Sequence, residues 1–102
     1  MEKITLYIGL NDKDSKTQKI DTVEAVKITT NILTMFTNGV TIYNATGIYK
    51  HDNGQIIIEN TLRVELIEID SVKLDKAITI LKQCLNQESI IKQIENINTV
   101  IA

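Results

Sequence analysis

The stretch FTNGVTIYNATGIYKHDNGQIIIENTLRVELIEI, residues 36–69, decides how this chain folds. Its middle, His51-Asp52-Asn53-Gly54, is a turn signal, because Asn-Gly accepts the positive backbone angles of a tight hairpin. After the turn, the even positions Ile56, Ile58, Leu62, Val64 and Leu66 are apolar, whereas the odd positions Glu59, Thr61, Arg63 and Glu65 are polar. That period of two marks a strand with one face on a core. Read from Gln55 to Ile69 it is about fifteen residues long against a usual 5 to 6, so a bend or bulge is expected near Asn60. Before the turn, Val40 to about Tyr49 forms the partner strand, which places Thr41 and Tyr43 on the same polar face. Asn38-Gly39 precedes it as a helix stop that tolerates a left-handed backbone.

Working outward, KITLYIGL (residues 3–10) sets Ile4, Leu6, Ile8 and Leu10 on one side and Thr5 and Tyr7 on the other, a further half-buried strand. NDKDSKTQK (11–19) is polar without periodicity and reads as an exposed loop. Asp21 lies three residues before Glu24, the spacing of a helix N-cap, and the apolar rows of Val23, Val26, Leu33, Ile28, Ile32 and Phe36 put a helix over 22–36. Leu74, Ala77, Ile78, Leu81 and Leu85 repeat at three and four, so a second helix covers 72–85, capped by Asp70 or Ser71. The β-branched residues of ESIIKQIENINTVIA indicate a last strand, starting near Ser89 and resumed near Thr99.

The order is β-α-β-β-α-β without a linker or repeat. This is the α+β arrangement of the ferredoxin-like plait, a four-stranded antiparallel sheet with two helices on one face. One domain is expected, since 102 residues with 43% apolar composition suffice for a single core. The helix side would take Ile4, Leu6, Ile8, Val40, Ile42, Ile58, Leu62, Val64 and Leu66. The open side would carry Thr5, Tyr7 and the polar residues of the hairpin.

A net charge of −2 and the lack of a basic stripe argue against nucleic-acid binding. One cysteine, Cys84, excludes an internal disulfide or a cysteine zinc cluster and fits a reducing compartment. Beside Leu81 and Leu85 it reads as buried or half-buried filler. The opening MEKITLYIGL lacks the basic and long apolar regions of a secretion signal, and no segment approaches the ~20 apolar residues of a membrane span. A cytoplasmic protein without membrane contact is expected. The absence of proline and the wealth of Ile, Asn and Lys point to an AT-rich coding genome, such as that of a low-GC Gram-positive bacterium or its phage.

Several separated segments resemble an uncharacterised bacterial family, domain of unknown function 3574. LYIGL at 6–10 is similar to the family's Leu-Tyr-Phe-Gly-Leu opening, FTNGVT at 36–41 to its Phe-Pro-Asp-Gly-Leu-Thr turn, and ATGIY at 45–49 to its Gly-x-Trp strand. Glu59 matches an acid after the hairpin, and QESI at 87–90 matches Gln-Glu-x-Val before the last strand. Thr37 replaces the usual proline, Tyr49 replaces the tryptophan, and the tryptophan of the first helix is missing. The resemblance implies the plait and carries no activity.

Candidate chemistry lies on the open face. Same-face neighbours on a strand stand about 7 Å apart, so Arg63 can reach Glu59 or Glu65, or offer its planar fork to an anion. Tyr7 and Tyr43 could stack a planar ring, while Asn38, Thr41 and the loop after the first strand could donate hydrogen bonds. The leading expectation is a non-enzymatic homo-oligomer, associated through its open face or an edge strand, that binds a small anionic metabolite or nucleotide with Tyr7, Asn38, Thr41, Tyr43, Glu59 and Arg63. In a phage it would act as a sponge for a host signalling nucleotide. No metal or cofactor is expected. Two other readings stay open: an enzyme built like a dimeric α+β barrel, with Glu59 or His51 as proton acceptor, and a structural module whose open face binds another protein. Cross-strand pairing on a plain wet surface would account for the same residues. His51 reads as a turn residue, and Asp12 and Asp14 as members of a solvated loop.

Overall fold

The computed structural model describes residues 1–102 and contains β1 (Glu2–Gly9), α1 (Thr22–Leu33), β2 (Thr41–Lys50), β3 (Ile56–Ile67), α2 (Ser71–Cys84) and β4 (Ile91–Asn96). The strands form one antiparallel sheet in the order β2-β3-β1-β4. Together with the βαββαβ order this is a ferredoxin-like plait. Both helices start where their acids permit: Asp21 accepts from the Glu24 amide and Asp70 from the Lys73 amide, satisfying donors that no helical carbonyl reaches. No helix is long and apolar enough to cross a membrane.

Leu6, Ile8, Leu62 and Val64 from the sheet meet Leu33 and Leu81 from the helices, all fully buried, at the centre of the core. Several boundaries differ from the sequence expectation. The first helix ends at Leu33, and Met35 and Phe36 continue it only as turns that bond back to Ile32 and Leu33. Neither Asn38 nor Gly39 has a positive φ, so the stop comes from those turns. The last strand covers Ile91–Asn96 and does not resume at Thr99. Cys84 is exposed, on the rim of α2 beyond the buried stripe of Leu74, Ala77 and Leu81.

The long strand carries no bulge at Asn60, since β3 pairs in unbroken register with β2 from Ile56 to Glu65 and with β1 from Thr61 to Ile67. Its length instead carries the β2–β3 hairpin past the helices. Ile58, assigned above to the covered side, is 65% exposed there. At the hairpin tip Gly54 adopts φ +87°, its amide donates to the His51 carbonyl at 2.9 Å, and the Gln55 amide is held by Asn53 Oδ1.

The loop after β1 is organised where a solvated one was expected. Asp12 is buried; its Oδ1 accepts from Asn86 Nδ2 at 2.7 Å and its Oδ2 from the amides of Asp14 and Ser15 at 3.0 Å. The Asn86 amide, helped by the Ser15 and Asp14 amides, holds the Asp12 carboxyl down at about 2.

Candidate functional site

Direct pairing places residues of the open face in rows, because opposed residues of an antiparallel sheet share a face. One row reads Thr41, Glu65, Thr5, Gln93; the next Tyr43, Arg63, Tyr7, Ile91; the third Ala45, Thr61, Gly9; the fourth Gly47 and Glu59. Tyr7, Thr41, Tyr43, Glu59 and Arg63 therefore do share the open face. Asn38 lies beyond the strands, on the rim of a depression of about 750 Å³ that Lys3, Thr41, Glu65, Ile67 and Ile97 also line.

Two cations meet at Glu65, Arg63 from the second row and Lys3 from the row on the other side of Glu65. The Arg63 guanidinium lies over the Tyr43 ring at 5.5 Å, and its Nη2 donates to Glu65 Oε2 at 3.3 Å. Lys3 Nζ binds the same oxygen at 2.6 Å. One carboxylate thus faces two cations, Glu95 opposite Lys3 on β4 supplies a second negative charge, and the buried Nε of Arg63 has no partner. The Lys3 ammonium, then the Tyr43 phenol, lower the Glu65 carboxyl, and the pull of Glu65 on the phenol proton raises Tyr43. A guanidinium with one N–H left without an acceptor suits an oxyanion.

Glu59 is held apart from this cluster. Its carboxylate folds across β1 above Gly9, where a Cβ would come within 2.7 Å of its Cδ, and Oε2 accepts from the Asn11 amide at 2.9 Å. Gly47, opposite it on β2, likewise leaves room, since a Cβ there would lie 2.7 Å from Thr61 Oγ1. Burial, then the Glu59 charge, raise the neighbouring Tyr49 phenol. Between Glu59 and the Arg63 row lies the row of Ala45, Thr61 and Gly9, with Thr61 buried and the space over Gly9 taken by the Glu59 carboxylate. The fixed carboxylate and the row of Tyr43, Arg63 and Tyr7 thus stand about 13 Å apart on one face, two same-face steps along β3.

Lys3, Tyr49 and Gly9 were not among the residues expected at the site. Lys3 shares the odd parity of Tyr7, which could have revealed it. Gly9 acquires its meaning only from the pairing that brings Glu59 across it. His51 sits at the hairpin tip with its ring edge-on to Tyr49 at 5.6 Å.

These features define a plait protein with a polar, partly preorganised open sheet face. By sequence the chain belongs to the DUF3574 family of proteins of unknown function, whose pattern matches residues 3–99. Among solved structures it is similar to a phage SAM lyase in complex with S-methyl-5'-thioadenosine, with TM-score 0.67 and 24% identity over 92% of this chain and 79% of that one. The apo state of a phage SAM lyase gives TM-score 0.65 and 21% identity, covering 92% and 78%. CutA from Synechococcus elongatus gives 0.59 and 13%, covering 92% and 73%. At these identities the likeness is one of fold. No curated protein sequence matches this chain.

Proposed function

We propose that the open sheet face binds a small adenosine-type ligand, a nucleotide or a charged nucleoside thioether. The observation that carries this reading is a fixed Glu59 carboxylate on the same sheet face as Tyr43, Arg63 and Tyr7. The tyrosines can stack a flat ring, and the Glu59 carboxylate can accept from ribose hydroxyls, a common role for an acid in nucleotide sites. The Arg63 guanidinium, with its Nε unpartnered, and the neighbouring Lys3 ammonium offer a place for a phosphate or carboxylate. Asn38 and Thr41 extend the polar lining beyond that end. The S-methyl-5'-thioadenosine in the similar phage lyase supports the same ligand class.

Thermal shift with AMP, S-methyl-5'-thioadenosine and SAM tests it. A ligand at 100 times its Kd adds about 2.7 kcal/mol of stability, and Arg63→Ala should remove the shift for the charged ligands. No stabilisation by any of the three would overturn the proposal.

A second reading, an enzyme, is favoured by the way Glu59 is held: one oxygen is tied to the Asn11 amide and the other lies over Gly9. With SAM bound, Glu59 would take a proton from the carbon next to the C–S carbon of the amino-acid side chain, the C–H pair would form a carbon–carbon double bond, and the C–S bond would break with its pair staying on sulfur. Chromatographic detection of S-methyl-5'-thioadenosine, lost in Glu59→Gln, would establish this reading. Binding of SAM without turnover would reject it and leave a binding protein.

A further inference from the structure

The β2–β3 hairpin outruns every other element. The loop after β1 reaches as far as Asn60, whose side-chain amide donates to Gln18 Oε1 at 2.7 Å, and β1 stops at Gly9 opposite Thr61. Beyond that point the pairs from Gly47–Glu59 to Lys50–Ile56 continue without a third strand. Four pairs and a turn make an arm roughly 15 Å long at ~3.3 Å per residue. The molecule measures 46 Å along its axis and about 25 Å across.

Successive strand residues point to opposite faces, so the run Ile56-Ile57-Ile58 makes both faces of the arm apolar, as in strands covered on both sides. Ile48, Ile56 and Ile58 are 68, 61 and 65% exposed on the helix-side face. Together they present on the order of 350 Å² of apolar surface, within the range of the largest patch on a typical monomer, which is often functional. Across the sheet, β4 is the opposite edge strand, with Ile91 60% exposed on the open face and Ile94 53% exposed on the other. Both edges of one sheet thus combine a free hydrogen-bonding ladder with bare isoleucines, on the helix-side face at the arm and on both faces at β4.

We propose that the arm of one chain clasps the β4 edge of a second copy, the outer strand β2 pairing with β4 of its neighbour. The complement of each patch lies on the same chain at the other edge, which makes the contact head-to-tail, the kind that forms a ring where successive rotations close. The arm patch of about 350 Å² is a little under half of the ~800 Å² per partner of a standard interface, the remainder falling to the paired backbone of β2 and β4 and its flanking side chains. The inference rests on the arm and the two edges and is independent of the ligand.

Light scattering during size-exclusion chromatography tests it. The wild type is expected at a multiple of 11.5 kDa. Ile56→Lys/Ile58→Lys, and separately Ile91→Lys, should each run at 11.5 kDa with an unchanged circular dichroism spectrum, because all three residues are exposed. Mixing the two variants should restore a one-to-one pair, since one retains an intact edge and the other an intact arm. A monomeric wild type, an arm variant that keeps the wild-type mass, or two dissociated variants that fail to recombine would each overturn the proposal.

Discussion

Gly9→Ala should destabilise the protein through Glu59 and through nothing else. An added Cβ would lie 2.7 Å from Glu59 Cδ and 2.8 Å from Oε2, with no other residue among its nearest contacts. The carboxylate must therefore swing off β1 and release the Asn11 amide, which it now holds at 2.9 Å in a part-buried setting. Leaving such a donor unpaired costs about 1–3 kcal/mol. Alanine gains about 0.4–1 kcal/mol by restricting the unfolded chain, and the extended backbone at Gly9 suits it. The net loss is about 1 kcal/mol, a fall in Tm of about 4–8 °C for a domain of this size. The assay is a double-mutant cycle by thermal melting with Glu59→Ala. In that background the displaced group is absent, so Gly9→Ala should become neutral or stabilising, and the coupling should exceed the ~0.5 kcal/mol within which independent sites add. Equal costs in both backgrounds would refute the placement of the carboxylate over Gly9.

Stability should also fall with acid in a window set by Asp12. Its carboxyl lies lower in the folded state, about 2, than its ordinary 3.8, so the contribution is full above that ordinary value and is lost as pH falls through about 2; thermal melts from pH 5 to about 2 should show a slope that Asp12→Asn reduces. Ultraviolet titration of the Tyr43 phenol should give a midpoint above that of free tyrosine, because Glu65 opposes its ionisation, and Glu65→Gln should lower it. A midpoint unmoved by that substitution would separate the two side chains.

The elements were legible because each rests on a local cue. Asp21 and Asp70 cap from within three residues of the amides they bind, and the parity of Thr41, Tyr43, Glu59 and Arg63 follows from a period of two that no bulge interrupts. The held state of Glu59 was not legible, since it depends on Gly9 and Asn11, some fifty residues away in the chain and adjacent only once β1 and β3 pair in their register. Asp12 escaped for the same reason, its main partner being Asn86.

The bare isoleucines follow from lengths alone. At 1.5 Å per residue the 12 residues of α1 span ~18 Å and the 14 of α2 ~21 Å, whereas the 12 residues of β3 at ~3.3 Å span ~40 Å. Two helices side by side can shield only about half of such a hairpin. Alternation therefore names correctly which face Ile56 and Ile58 occupy, while the helix lengths determine that the chain's own helices cannot cover that face. The apolar pattern persists where no intramolecular partner can reach it, which is the pattern expected of a strand pair that is covered only on assembly.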